Sequence, residues 1–214
     1  MSSEQAGRRP PHQPPYHHGD LRRTILAAAV EVIATEGPAA LSLRDLARRA
    51  GVSHAAPAHH FTDRAGLLTA VATEAYTLFA DSLSEVTDLT EKGARYVRFA
   101  ADHPAHFQVM FQPDLYRADD PALAAARERA TRTLREGVAG LAPDHADDHP
   151  GASEEGRRKG VAAWSLAHGF ASLLLSHNLT DFLGGRDAEE AFRSVADGVF
   201  GGPEGRVPAS TEGS

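Results

Sequence analysis

The residues with the most evident chemistry are three histidines in one short stretch. The stretch AGVSHAAPAHHF, residues 50–61, contains His54, His59 and His60 among alanines, a glycine and a proline. Histidine side chains can donate hydrogen bonds to phosphates or to base edges, and an alanine methyl can pack on a thymine methyl. Small side chains also let a backbone approach bases closely. This stretch therefore indicates a surface that contacts DNA.

A second set of histidines raises metal or enzyme chemistry as an alternative. His103 and His106 are three residues apart across Pro104 and, with His168 and His177, could converge on a metal ion. The chain has no Glu-x-x-His pair of the kind used in di-iron bundles, no nucleophile motif and no glycine-rich phosphate loop. We therefore expect no enzymatic activity, no metal and no cofactor.

Charge is unevenly distributed along the 214 residues. The formal net charge is -7, yet residues 1–65 contain eight arginines against six acidic residues, and the acidic excess lies beyond them. Phosphate binding depends on the charge near the contact surface, so an acidic total is compatible with DNA binding by the N-terminal part. The asymmetry predicts two parts with different tasks.

Other features of the sequence predict the cellular compartment and exclude a membrane-spanning segment. The chain has no cysteine, and its charged, proline-rich N-terminus does not resemble a signal peptide, which predicts the cytoplasm. The longest uncharged stretch, residues 160–180, contains serines, histidines and an asparagine and is too polar for lipid. We expect a buried helix there and no membrane contact.

Helical periodicity recurs along the whole chain, and no segment alternates with period two. The fold class is therefore all-α, with about nine helices. We expect helices to begin at Asp20, Ser42, Ser53, Thr62 or Asp63, Thr90, Pro104, Pro121, Glu154 and Ala188, and the fourth to run for about six turns. The predicted organisation is a disordered arm (1–18), a DNA-binding domain (19–65), a larger helical domain (66–202) with a mobile loop at 142–153, and a disordered tail (203–214).

The second and third helices have the proportions of a helix-turn-helix. LRDLARR ends at Gly51, a good C-terminal cap, and Ser53 to Phe61 forms the helix that would enter the major groove. Ser42 is a candidate N-cap, with Asp45 in a variant of the capping box. Periodicity alone leaves a helical hairpin without DNA binding equally open.

Residues 25–68, ILAAAVEVIATEGPAALSLRDLARRAGVSHAAPAHHFTDRAGLL, resemble the tetracycline-repressor (TetR) family of bacterial regulators in caps, turn and spacing together. The resemblance implies a homodimer with two DNA-binding heads and a larger C-terminal domain that binds a small molecule and then releases the operator. It also implies positions that commonly face DNA: Ser42, Arg44, Ser53, His54, Ala55, Ala56, Pro57, His59, His60 and Arg64.

One position departs from the family pattern. Ala58 stands where members often have a tyrosine that contacts a phosphate or a base. That contact is absent here, and the neighbouring His59 is a candidate to replace it.

In the second half, AAWSLAHGFASLLL resembles the tryptophan-histidine-glycine (WHG) motif of one C-terminal subclass, at Trp164, His168 and Gly169. Trp164 and His168 are four residues apart on one helix face. They either belong to the core or line an effector pocket, and the same alternatives hold for the rest of the candidate pocket, which comprises Tyr96, Phe107, Met110 and Phe111.

The last helix has an apolar stripe at helical spacing. In the family the final two helices pair with their copies, and this stripe is the candidate dimer interface: Phe192, Val195, Ala196 and Val199. Packing within one subunit is the alternative.

The function predicted from these features is a ligand-responsive repressor of a palindromic operator. The rival classes are a helical protein-protein adaptor and a metal-dependent helical-bundle enzyme, both without DNA binding.

Overall fold

The computed structural model describes residues 18–139 and 154–200, and these residues are helical throughout, with short connections. The all-α prediction is confirmed. Ten α-helices are described, one more than about nine, because the four-residue α9 has no capping side chain at its start to separate it from α8. The helices are α1 His18–Glu36, α2 Leu43–Arg49, α3 Ala56–Phe61, α4 Arg64–Ser84, α5 Leu89–Asp102, α6 Pro104–Met110, α7 Pro121–Ala139, α8 Glu154–Leu175, α9 Thr180–Leu183 and α10 Ala188–Phe200.

Two 3₁₀ turns, Pro38–Ala40 and Pro113–Leu115, complete the described elements. The predicted loop at 142–153, the tail at 203–214 and all but the last residue of the predicted arm lie outside the described residues. Helix α1 begins at His18, so Asp20 lies inside the helix and the predicted N-cap is wrong.

Helices α1 to α3 form the head, and their turn is fixed by glycine. Gly51 has a φ of +66°, a left-handed conformation that costs other residues about 1–2 kcal/mol. It closes α2 in a Schellman motif, since the Val52 N–H donates to the Ala47 carbonyl at 3.0 Å and the Gly51 N–H to that of Arg48 at 3.2 Å. The predicted turn is confirmed.

The predicted N-cap position of α2 is confirmed, but its capping box is not formed, and the predicted cap of α3 is wrong. Ser42 is the N-cap of α2, but its side chain makes no capping hydrogen bond, and the Asp45 carboxylate instead accepts from Arg48 and Arg49. Charged hydrogen bonds outcompete the neutral backbone donor for that carboxylate, and they hold the Asp45 pKa below its ordinary value. Helix α3 begins at Ala56, three residues after Ser53.

Helix α4 belongs to both parts of the molecule. Its first half, Leu67 to Ala72, packs into a core that the head shares with Ala105 and Val109 of α6 and Leu123 of α7, whereas Ala75 to Leu83 packs into the core of the body, the part formed by α5 to α10. The predicted domain boundary between residues 65 and 66 falls in the first turn of this helix. Any rotation of α4 therefore displaces side chains in both cores.

Local signals set most helix ends in the body. The Asp88 carboxylate caps α5 by accepting from the Glu91 N–H at 2.9 Å, and Asp120 caps α7 through the N–H groups of Ala122 and Leu123. The predicted break at His103 and restart at Pro104 are confirmed. Helix α5 begins at Leu89, one residue before the predicted Thr90.

Lys92 is a buried cation that closes the end of α4. Its side chain is 3% exposed, and Nζ donates to the Leu83 carbonyl at 3.2 Å, one of the last carbonyls of α4. Positive charge is favourable at a helix C-terminus. Burial lowers the Lys92 pKa. Lys92 therefore has a structural role, fixing α5 to the end of α4.

Candidate functional site

Helix α3 presents small residues and one imidazole to solvent. Pro57 and Phe61, four residues apart, face the interior of the head, so the opposite side of this short helix is free. Ala55, Ala58 and His59 are exposed there. The surface is flat at the alanines and polar at His59, which suits close approach to base edges.

The predicted DNA contacts divide into three groups by exposure. Ala56, His60 and Arg64 are half-buried, and Pro57 is buried, so the prediction is wrong for Pro57. Pro57 points inward because it shares a helix face with Phe61. The exposed residues are Ser42, Arg44, Ser53, His54, Ala55 and His59.

Arg64 and His60 also have places inside the protein. The Arg64 guanidinium donates to the Pro38 carbonyl at 2.7 Å and so ties the start of α4 to the turn after α1. His60 lines a groove between head and body together with Arg22. The Arg22 guanidinium itself lies 5.3 Å from the centre of the Phe61 ring. Arg64 and His60 thus contribute to the joint between the head and the body, where α3 ends and α4 begins, as well as to the surface of the head.

The six residues predicted to line an effector pocket lie together in the body. His168 is at the centre: its ring stacks on Phe107 at 5.5 Å and meets Phe111 at 4.5 Å and Trp164 at 6.2 Å, measured between ring centres. The remaining two, Tyr96 and Met110, are 1% and 2% exposed. The residues predicted from the sequence therefore form one aromatic cluster.

Tyr96 and His168 form the polar contact of this cluster. The Tyr96 hydroxyl and His168 Nδ1 are 2.9 Å apart. Burial raises the Tyr96 pKa and lowers the His168 pKa, so a neutral phenol meets a neutral imidazole near pH 7. In the tautomer with its proton on Nε2, the hydroxyl donates to Nδ1; in the other tautomer, Nδ1 donates to the hydroxyl oxygen.

A cavity of about 360 Å³, here called the aromatic cavity, lies beside this cluster between α4, α5, α6, α7 and α8. Four predicted residues line it: Tyr96, Met110, Phe111 and Trp164. Phe107 and His168 instead face a separate groove of about 470 Å³ between α6 and α8. The other lining residues of the aromatic cavity were not predicted: Tyr76, Phe79, Pro113, Tyr116, Arg127, Ala130, Thr131 and Leu134.

The polar end of the aromatic cavity consists of Tyr76, Tyr116 and Arg127. Both tyrosine hydroxyls donate to the Met110 carbonyl, Tyr116 at 2.9 Å and Tyr76 at 3.3 Å. Burial, with a smaller contribution from Tyr116, raises the Tyr76 pKa to about 12. One signal in the sequence could have revealed Arg127: it lies between Leu123 and Ala130 on the apolar face of α7, where a charge needs a reason.

Trp164 is not a core residue. It is 51% exposed, and it lines the aromatic cavity as well as a narrow slot beside Gly93 and Phe192. Of the two alternatives left open by the sequence, the structure therefore favours a cavity wall over the core.

The apolar stripe of α10 is divided between two environments. Phe192 and Ala196 are buried within the subunit, so they are not available to a partner, and the prediction is wrong for these two residues. The cause is Gly93 on α5, whose missing side chain leaves room for the Phe192 ring, which also meets Phe170 edge-on at 5.5 Å. Val195 and Val199, at 42% and 59% exposed, remain outside.

The histidines considered for a metal site have other partners. His106 Nε2 is 3.2 Å from a Glu74 carboxylate oxygen, and His168 contacts Tyr96. Residues 18–139 and 154–200 contain no group of three or more His, Cys, Asp or Glu side chains suited to a metal ion. Within the same residues, no helix combines the length and apolarity needed to cross a membrane.

A helix-turn-helix head, joined by a shared helix to an all-helical body with a partly open cavity, defines the class of helical transcription regulators. Residues 25–71 match the family described as bacterial regulatory proteins, tetR family, and residues 89–199 match the tetracyclin repressor-like C-terminal domain. The chain belongs to the TetR family of bacterial transcription regulators, and it is a DNA-binding regulator, not an enzyme. The more specific resemblance to the WHG subclass stays a prediction.

Solved structures agree with this family. A protein of unknown function from Rhodococcus sp. RHA1 is 30% identical, with a TM-score of 0.67 over 88% of this chain and 97% of that chain. A protein described as regulatory, SCO4313, is 27% identical, with a TM-score of 0.69 over 86% and 97%. A tetR-family regulatory protein from Rhodococcus RHA1, at 20% identity and a TM-score of 0.61 over 84% and 95%, shares the fold. No curated protein matches the chain.

Proposed function

We propose that this chain is a repressor that binds a palindromic operator as a homodimer and is released by a small molecule held in the aromatic cavity. The observation that supports ligand control is the short connection between that cavity and the head. Pro113 and Tyr116 line the cavity, and Arg117, the next residue, is bonded to the first turns of α4. A ligand that displaces Pro113 and Tyr116 would therefore also move Arg117 and change its contacts with the start of α4.

Two hydrogen bonds anchor Arg117 at the joint between the head and the body, where α3 ends and α4 begins. Its Nη2 donates to the Asp63 carboxylate at 2.7 Å, and its backbone N–H donates to Thr69 Oγ1 at 3.0 Å. The other Asp63 oxygen caps α4 by accepting from the Gly66 N–H at 2.8 Å. A side chain at position 66 would collide with the Phe61 carbonyl and come within 2.7 Å of Arg117 Nη1. The end of α3 and the cavity wall thus meet at one glycine.

The dimer is supported by the apolar surface that the subunit leaves exposed. Val195 and Val199 on α10, and Val161 and Leu173 on α8, are each more than 40% exposed. On the same two helices, a Cβ atom added at Gly169 or Gly198 would meet no described neighbour within 4 Å, so another helix can approach there. Pairing of α8 and α10 with their copies would bury these residues and give a two-fold dimer.

Such a dimer predicts how operator binding and release work. Two heads related by a two-fold axis read half-sites about 34 Å apart or a multiple of that spacing, so the operator is palindromic. A ligand must prefer the conformation in which the heads no longer match this spacing. Changing the ratio of conformations from 1:99 to 99:1 needs about 5.5 kcal/mol of differential binding, which one buried small molecule can supply.

Repression is proposed over activation because occupying an operator is enough to exclude polymerase. We place this action in the cytoplasm.

The first experiment is selection of randomised duplex DNA on the purified protein at near-physiological salt, with sequencing and titration of the best site. A palindrome with at least about a thousandfold preference over scrambled DNA is the expected result. Weak, salt-sensitive binding without enrichment would contradict the proposal and favour the adaptor.

The connection through Arg117 has its own test, with a matched control. Arg117→Gln removes one partly exposed ion pair, worth about 0.2–1 kcal/mol, so the effector concentration for half-release should shift by up to about fivefold. Arg129→Gln removes a similar pair, with Asp81 at 2.6 Å, between α7 and α4 but far from the head. An equal shift in both variants, or none in Arg117→Gln, would contradict this connection.

A further inference from the structure

The aromatic cavity has a strongly asymmetric lining. One end is mostly hydrocarbon, formed by Phe79, Phe111, Leu134 and Trp164, and the hydroxyl of Tyr96 in this lining is already bonded to His168. The other end contains the hydroxyls of Tyr76 and Tyr116 and the guanidinium of Arg127. A molecule that fills such a space must itself be amphipathic, because an unpaired polar group at the hydrocarbon end would lose its hydrogen bonds to water.

Arg127 is the cation of this lining, and it is poorly satisfied. The only hydrogen bond of its guanidinium among the described residues is from Nη2 to the Ala118 carbonyl, at a long 3.4 Å. No Asp or Glu of the described chain lies within 4.0 Å of its guanidinium, in contrast to Arg117 and Arg129, which each have a carboxylate at 2.7 Å or less. A half-buried guanidinium has five N–H donors and needs an anion or several acceptors.

The tyrosines do not supply that anion. Burial raises the Tyr76 pKa to about 12, so its hydroxyl stays neutral. Its hydroxyl lies beside that of Tyr116 and donates to the Met110 carbonyl at a long 3.3 Å, a carbonyl that Tyr116 also uses at the shorter distance of 2.9 Å. Tyr76 can therefore turn its proton to an incoming acceptor, and Tyr116 keeps the carbonyl satisfied.

Volume limits the hydrocarbon part of the ligand. A cavity of about 150 Å³ holds benzene, and this one has about 360 Å³. The space fits two fused rings, or one ring with a short chain, plus a polar group at the Arg127 end. Flat rings also suit the aromatic walls, which favour edge-to-face and offset contacts.

We propose that the effector is an aromatic carboxylate whose acid group pairs with Arg127 and accepts from Tyr76, and whose rings lie against Phe79, Phe111 and Trp164. This inference rests on the proposed role of the cavity as the effector site. It predicts discrimination by charge: a neutral amide of the same shape loses the ion pair, and an ammonium ion of the same shape is repelled by the guanidinium.

The test uses three probes of one shape: 2-naphthoate, 2-naphthamide and 2-naphthylmethylammonium. Because naphthalene absorbs and emits in the same range as the single tryptophan, binding of each probe is measured by isothermal titration calorimetry. We expect naphthoate to bind at least about tenfold more tightly than the amide, and the ammonium ion to bind most weakly. Equal or weaker binding of the acid, or no binding of any probe, would overturn the proposal.

Variants then assign the preference to one residue. In Arg127→Met the affinity for naphthoate should fall to that for the amide, while amide binding changes by less than about twofold. The control is Arg132→Met, an exposed arginine on the same helix, which should keep the full preference. If Arg127→Met does not fold, Arg127→Lys should keep part of the preference. A full acid preference in a folded Arg127 variant would refute the assignment.

Release of labelled operator, measured separately, distinguishes this inference from the proposed function. Naphthoate binding without release would contradict ligand control and leave the ligand class supported. Release by the amide as readily as by the acid would support ligand control and overturn the ligand class.

Discussion

Replacing Phe192 by alanine tests whether this residue belongs to the core of the subunit or to the dimer interface. The side chain is 3% exposed and packs on Gly93 and Phe170. An aromatic side chain of this kind buries roughly 150–250 Å², or about 4–6 kcal/mol at roughly 25 cal/mol per Å². Alanine retains one methyl group, so Phe192→Ala should lower the free energy of unfolding by about 3–5 kcal/mol.

The contrasting variant is Val199→Asp, on the same helix at 59% exposure. It should change the free energy of unfolding of the subunit by no more than about 0.5 kcal/mol, because an exposed position has few contacts to lose. It should instead weaken the dimer, since pairing of two copies would bury the new carboxylate without a partner.

Urea unfolding at two protein concentrations and sedimentation velocity measure the two effects. A loss of about 3–5 kcal/mol lowers the melting temperature by roughly 6–20 °C in a chain of this size. If Phe192→Ala unfolds within about 1 kcal/mol of the parent but sediments as a monomer, then Phe192 belongs to the interface and the packing argument is wrong.

Three further predictions concern the head and the polar contact of the aromatic cluster. Gly51→Ala should lower the free energy of unfolding by about 1–2 kcal/mol in a thermal melt, because its φ is +66° and an alanine there is strained even without a steric clash; an unchanged melt would contradict this. His59→Ala should weaken operator binding by about tenfold in an electrophoretic titration, with exposed His177→Ala as the control; parental affinity would dismiss His59 as a contact. Burial lowers the His168 pKa below 6.5, so the unfolded state takes up its proton first. Stability conferred by neutral His168 is therefore present above pH 6.5 and lost as the pH falls below it, and urea unfolding from pH 7 to 5 should show a flatter decline in His168→Gln.

Elements set by one or two neighbouring residues could be predicted from the sequence. Gly51 ends α2 and Pro104 restarts the chain as expected, because a left-handed glycine and a proline ring restrict the backbone locally. The start of α3 could not be placed correctly, since no side chain there makes a capping bond and nothing local marks the first turn.

The cavity could be predicted only in part, for a different reason. Tyr76 reaches a carbonyl 34 residues away at Met110, and Arg117 reaches Asp63 across 54 residues. Contacts of this range depend on how helices cross, which periodicity does not encode. Periodicity likewise finds an apolar stripe on α10 but not which neighbour covers it, and the deciding residue, Gly93, lies on another helix.

The division of α4 between two cores has a consequence for building hybrid regulators. Side chains up to Ala72 complete one core and those from Ala75 onward complete the other, so Thr73 and Glu74 lie where one core ends and the other begins. A chimera that grafts this sensor onto another DNA-binding head should be spliced at these two positions, and the new head must also pack against Ala105, Val109 and Leu123 of the sensor. A splice in the loop before α4, where the sequence pattern alone would place it, would instead pack the first half of α4 against the core residues of another protein's head.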